Sequence, residues 1–259
     1  MPIIFKALER CVAVIVQILF SGKLNTMLLA IHQVGHRHRW VASWLVIGLV
    51  AGSTAATPPA LSLPAATSTA GYVCRLLINE VPFPGERGYR SEADTKLTME
   101  ALLYVLDGRL RRVPKPYKQS QVAATTARDI IDVITAGGMH GQFDGFYRDA
   151  KGRPVMVSRV SERIDNLVRI AGQGQPGKFG RLLKYAAALA TAYVDDKLTC
   201  ADPHAPVKAV YGVPATGSAY GWMTDERRFN PGGNFLRIPD DQQGALGGNR
   251  FFTLRKDPQ

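Results

Sequence analysis

Cysteine and histidine are scarce in this sequence: 3 cysteines and 5 histidines among 259 residues. Cys11, His32, His36 and His38 fall in an N-terminal stretch that reads as an export signal, which leaves Cys74, Cys200, His140 and His204 for the folded part. A zinc site needs three or four nitrogen, sulfur or carboxylate ligands at characteristic spacing, and no such spacing occurs. Cys200 and His204 stand close together but isolated in a proline-containing loop. There is no G-x-S-x-G, P-loop or dinucleotide fingerprint. The stretch "GQGQPGKFG" is rich in glycine, lacks the lysine–hydroxyl pair of a P-loop, and reads as a helix terminator. No internal repeat stands out, and no cofactor or metal is expected.

The N-terminal fifth has its own character. Basic "VGHRHR" at 34–39 precedes the apolar "WVASWLVIGLVAG" and the small-residue "STAATPPALS". A basic region, a short apolar core and an alanine-rich cleavage zone describe a secretory signal peptide, with cleavage near Ala55 or Ala56. The apolar core is shorter than the roughly 20 residues of a membrane span. A second apolar run, "CVAVIVQILF", follows Lys6 and Arg10, so an uncleaved N-terminal anchor is the alternative. The expected organisation is a signal or anchor over 1–56, a Pro/Ala/Ser/Thr-rich disordered linker over 57–70, and one domain over 71–259.

The net charge is +11, and falls to about +7 once the signal is removed. A basic exported protein suits a polyanionic target such as a cell wall or a membrane surface, and export argues against nucleic acid. Moderate charge also serves solubility alone. In an oxidising compartment, Cys74 and Cys200 form an even pair for which a disulfide is expected, two free thiols being the alternative.

Within the domain the apolar periodicity is mostly helical. It predicts helices over "GYVCRLLINE", "SEADTKLTMEALLYVLDGRL", "QVAATTARDIIDVITAGG", "SERIDNLVRIAGQG" and "KFGRLLKYAAALATAYVDDK". Ser91 with Asp94 marks an N-terminus, and the Gly137–Gly138 pair a stop. The loop "GMHGQFDGFYRDAKGRPVMV" has room for one short strand pair. Beyond Cys200 the chain is rich in Gly and Pro and predicts short strands packed on the helices through Tyr220, Trp222, Phe235 and Phe251. The expected fold is mainly α (α+β), a helical domain with an irregular, short-stranded C-terminal part.

Chemistry concentrates at "INEVPFPGERGYRSEADTK". Val73, Leu76, Leu77 and Glu80 fall on one helical face, so a glutamate ends an apolar stripe. Burial disfavours its charged form, and the negative end of the helix dipole acts in the same direction. A carboxyl group kept protonated near neutrality is what a general acid needs. A helix-end glutamate that turns into water is the plain alternative. Pro82 and Pro84 stiffen the exit of the chain and bring Glu86 and Arg87 near Glu80, either as part of the site or as a solvated pair. In "GGMHGQFDGFYRD", Gln142, Phe143, Asp144, Phe146 and Tyr147 lie between glycines. Amides and aromatic rings of this kind line carbohydrate clefts, and an ordinary packed loop is the alternative.

These residues together resemble a family. "INEVPFPGERGYRSEADTKLTMEALLYVLDGRL" is similar to the glutamate motif and following helix of SleB-like cell-wall hydrolases, the spore-cortex-lytic type. Glu80 and Glu86 match the two glutamates of its "GEARGE", and Leu97 to Arg109 match the helix, with "GR" for "NR". "GQFDGF" looks like its "QFS" segment, with Gln142 and Phe143 in place and Asp144 for Ser. "LGGNRFF" looks like its closing "GNHVFY". The prolines lengthen the spacing between the glutamates, and Ser218-Ala219-Tyr220 stands where the family has Thr-His. The resemblance implies a lysozyme-like, lytic-transglycosylase-type fold that cleaves the glycan strand of peptidoglycan. Glu80 would be the catalytic acid, with Glu86, Gln142, Phe143, Asp144, Tyr147 and Tyr220 around the substrate. With the signal-like N-terminus, the expectation is an exported monomer in the periplasm or cell envelope, or secreted, that meets a membrane only through its N-terminal segment. A non-catalytic wall-binding protein and a cysteine-dependent amidase or peptidase, using Cys74 or Cys200, are the competing expectations.

Overall fold

The structure is a computed structural model that describes residues 61–173, 177–225 and 231–259. The expectations for a signal and an anchor fall outside these residues. Among the described residues there are six α-helices: α1 Thr69–Glu80, α2 Glu92–Arg111, α3 Gln119–Ala123, α4 Ile130–Ile134, α5 Ser158–Gly172 and α6 Lys178–Val194. The strands are short and antiparallel. β1 Phe146–Arg148 pairs with β2 Pro154–Met156, and β3 Ala209–Val210 with β4 Val213–Pro214. A third sheet runs in the order β5–β8–β6, from β5 Gly221–Thr224, β8 Asn249–Leu254 and β6 Phe235–Arg237, with β7 Ala245–Leu246 also on β8. The class is α+β.

α1 is the centre of the domain. Tyr72, Val73, Cys74, Leu76, Leu77 and Ile78 are all fully buried, and along the middle of the helix only Arg75 keeps partial exposure. A helix apolar on most of its circumference belongs in a core; here α2, α4, α5 and α6 pack around it. The single apolar stripe expected from Val73, Leu76 and Leu77 is therefore one part of a wider buried surface that also takes in Tyr72, Cys74 and Ile78. Ser68 caps its N-terminus by accepting from the Gly71 N–H at 3.0 Å.

Two expectations from composition change. Residues 61–68 do not behave as a disordered linker. Leu61 and Leu63 pack against the core, and the Arg75 guanidinium donates to the Pro64 carbonyl at 2.7 Å. Gly71 lets this segment lie across the helix, because a Cβ there would meet the Ala65 carbonyl oxygen at 1.9 Å. Nor do Cys74 and Cys200 join. Cys74 is a free thiol wholly enclosed in α1, and Cys200 is a free, half-buried thiol.

The long third helix also divides. Ala124 adopts a left-handed conformation (φ 54°) and ends α3, and Asp129 starts α4 by accepting from the Asp132 N–H at 2.9 Å. Elsewhere the periodicity holds. Ser91 accepts from the Asp94 N–H at 3.0 Å at the head of α2, and α5 and α6 cover the expected stretches.

Truncation in this core leaves a cavity that the crowded helices cannot close. Leu77→Ala is expected to lower the unfolding free energy by about 3 kcal/mol, read from the urea midpoint at unchanged slope.

Candidate functional site

Glu80 is the last residue of α1, where the buried helix reaches the surface. The final carbonyls of a helix have no partners within it. Here distant segments supply them. The Arg163 guanidinium, from α5, donates to the Ile78 carbonyl at 2.8 Å and to the Val81 carbonyl at 3.0 Å. The Asn249 side chain, from β8, donates to the Glu80 carbonyl at 2.7 Å. The backbone beneath the carboxylate is thus fixed from two sides.

The turn after Glu80 has a specific form. The Glu86 N–H donates to the Phe83 carbonyl at 2.9 Å, with Pro84 and Gly85 between them and Gly85 at φ 90°. That is a type II turn, whose third position favours glycine. Phe83 is fully buried against Phe179, with ring centroids 6.0 Å apart. The Glu86 carboxylate accepts from the Phe83 N–H at 2.7 Å and from Arg163 Nη2 at 2.6 Å and Nε at 3.1 Å. Glu86 therefore holds the turn and the arginine, and is not a free carboxylate facing a ligand.

The Glu80 carboxyl group has two donors. Trp222 Nε1, from β5, donates to Oε2 at 3.1 Å, and Asn79 Nδ2 donates to Oε1 at 3.1 Å. Although the residue keeps some exposed surface, its carboxyl is packed closely enough for burial to be the largest influence on its pKa, which it raises. The Trp222 and Asn79 hydrogen bonds and the charge of Arg163 pull the other way, while the charge of Asp144 adds to the rise. Desolvation prevails, as expected for a carboxylate removed from water.

The remaining expected residues divide. Asp144 is exposed, pairs with Arg159 and with His140 Nδ1 at 3.3 Å, and lies within electrostatic reach of Glu80. Phe143 is buried and stacks on Trp222 at 4.9 Å between centroids, so it supports the indole from behind. The Gln142 side chain is engaged by Arg109 and donates to the Ala123 carbonyl. Tyr220 is buried and donates its hydroxyl to the Arg112 carbonyl at 3.0 Å, which removes it from any ligand surface. Tyr147 lies half-buried on β1, and its hydroxyl makes no hydrogen bond among the described residues. The structure thus unites Glu80, Asp144 and, through packing, Phe143 and Gln142, and gives Glu86 and Tyr220 structural work.

Four partners were not singled out from sequence as site residues: Asn79, Trp222, Arg163 and Asn249. Trp222 carried one signal, as the sole tryptophan beyond residue 44. Arg163 lies in an unremarkable helical stretch and carried none.

No family model, curated protein or solved structure matches the chain. The chemistry of the site rests on its own geometry. Among the described residues no group of three or more His, Cys, Asp or Glu side chains is placed to hold a metal ion. The Cys74 thiol is pushed up to about 12 by burial, the reverse of an activated nucleophile. A recess of about 520 Å³ between residues 62–64 and α6, lined by Leu63, Ala187, Ala188 and Thr191 among others, contains none of the residues around Glu80.

Two outcomes follow. Arg163→Met removes three anchors at once and is expected to cost about 2 kcal/mol in urea unfolding, moderated because both it and Glu86 touch solvent. Glu80→Gln should stabilise the domain. The folded pKa of Glu80 lies above its unfolded value, so wild-type stability is greatest below the unfolded pKa and declines as pH rises through the folded one. The variant should therefore melt at a higher temperature than wild type at pH 7–8 and match it near pH 4, as thermal unfolding at the two pH values would show.

Proposed function

We propose that this protein is an exported peptidoglycan-cleaving glycosidase of the lytic-transglycosylase type, with Glu80 as its acid and base. The observation that carries the reading is the environment of that carboxyl group. It is desolvated enough to favour protonation, yet it keeps two aligned donors in Trp222 and Asn79. A general acid needs both conditions in turn: retention of the proton before reaction, and support for the carboxylate after the proton has left.

In this reading Glu80 protonates the glycosidic oxygen between N-acetylmuramic acid and N-acetylglucosamine as the C1–O bond breaks. The 6-hydroxyl of the muramic residue then attacks C1 and returns its proton to the Glu80 carboxylate. The products are a 1,6-anhydro end and a free 4-hydroxyl, and the enzyme regains its proton. No second carboxylate is needed. A hydrolytic route would require one at a defined separation; of the two candidates, Glu86 is committed to Arg163 and the Phe83 N–H, and Asp144 is paired with Arg159 and His140. The lysozyme-like character of the fold is part of the same proposal, supported by a central helix that ends on the acid. The cysteine-dependent alternative is disfavoured by the enclosure of Cys74 and by the burial that also raises the pKa of the half-buried Cys200 thiol.

Wild type should clear a peptidoglycan zymogram, and Glu80→Gln should lose at least about 10²-fold of that activity, on the scale of removing a general acid. Mass spectrometry of the released muropeptides should show anhydro ends. Clearing by Glu80→Gln that disappears on thiol alkylation would transfer the reaction to a cysteine. Co-sedimentation of both proteins with sacculi, without clearing by either, would reduce the function to binding.

A further inference from the structure

Arg109, near the end of α2, is 7 % exposed and has no carboxylate partner among the described residues. Buried charges are ordinarily paired, because taking a guanidinium out of water costs several kcal/mol. Arg109 instead spends its donors on neutral groups of two other segments. Nε donates to the Tyr220 carbonyl at 2.7 Å, and Nη1 donates to the Gln142 side-chain oxygen. Its guanidinium carbon lies 5.7 Å from the centre of the Phe143 ring and 5.8 Å from that of Trp222. Both contacts are within cation–π range.

Two glycines make the approach close. A Cβ at Gly108 would fall 3.2 Å from Tyr220 Cε1, and one at Gly221 would fall 3.4 Å from Arg109 Nη2. An apolar side chain of the same length would fill this space without the desolvation cost. What the guanidinium adds is direction: a planar fork that engages helix, loop and strand together. The strand and loop it engages carry Trp222 and Phe143, and Trp222 is the donor to Glu80 Oε2.

We propose that Arg109 is a positioning residue for Glu80, which fixes the Trp222 indole N–H on the Glu80 carboxylate by clamping Tyr220, Gln142 and the Phe143–Trp222 stack in one arrangement. Its catalytic consequence rests on the reading of Glu80 as the acid; its structural consequence does not. Loss of the clamp frees the indole, and loss of the indole bond removes a donor that favours the ionised carboxylate. The Glu80 titration then moves to higher pH.

The test uses the full chain. The Glu80 carboxyl carbon is followed by NMR against pH, assigned by its absence in Glu80→Gln, together with the Trp222 indole N–H, assigned by its absence in Trp222→Phe. Arg109→Met should move the Glu80 titration upward, accelerate exchange of the indole proton at least about tenfold, and lower kcat about 10²-fold with a smaller change in KM. Trp222→Phe should shift the titration in the same direction, and the double variant should shift it no further than either single one. Arg109→Lys keeps a charge without the fork and gives the same reading should the Met variant fold poorly. If both Arg109 variants leave the Glu80 titration and the indole proton at their wild-type values, the positioning role is refuted. If wild type leaves peptidoglycan intact while the titration still moves in Arg109→Met, the glycosidase reading fails and the positioning role stands.

Discussion

The end of a largely buried helix is the constraint on which this domain depends. α1 meets other helices on most of its sides and the 61–68 segment on another, so its last carbonyls emerge from an apolar interior with no partner within the helix. Each of them that lacks a donor costs on the order of 1–3 kcal/mol. Arg163 and Asn249 meet that need from elements remote in sequence, and in doing so they draw α5 and β8 onto one point. The type II turn at Phe83–Glu86 is a continuation of the same solution, since its glutamate orients the arginine that serves the helix. Glu80 sits at this junction because a chain leaving a buried core is where a carboxyl can be desolvated and still be reached.

Two opposed influences act on that carboxyl. Burial favours the acid form, and the Trp222 and Asn79 donors with the charge of Arg163 favour the anion. Neither alone would suit proton transfer in both directions. A bare apolar pocket would hold the proton and resist giving it up, while a well-solvated site would lose it before reaction. The surroundings are graded accordingly: the donors touch the carboxyl, Arg163 and Asp144 act on it by charge, and Arg109 acts only through what it holds in place.

The sequence discloses those parts that depend on local order. Helical periodicity places α2, α5 and α6, Ser91 marks a start, and the apolar run ending on Glu80 is visible because neighbours in sequence define it. The contacts that give Glu80 its properties are of another kind. Arg163 reaches Ile78, Arg109 reaches Tyr220, and Trp222 reaches Glu80 across long stretches of chain, and no local pattern encodes such meetings. Composition misleads at residues 61–68, where Pro and Ala conceal two leucines that pack. It misleads again at Cys74, whose enclosure in α1 keeps it from Cys200. The break at Ala124 escapes because the apolar pattern continues on both sides of it. The enclosure of Tyr220, too, follows from its place beneath the end of α2.

One feature of the small sheet bears on all of this. β8 is held along both edges, by β5 on one side and by β6 and β7 on the other, with Trp222 opposite Phe251. Side chains alternate faces along a strand, so a shift of β5 by a single residue would turn the indole to the opposite face of the sheet. β6 and β7 hold β8 in place, and the four-residue register of β5 along it, from Gly221 opposite Phe252 to Thr224 opposite Asn249, opposes that shift. The side on which Trp222 emerges is thus decided by a count of residues along β8, and the sheet serves the helical part of the molecule as a ruler.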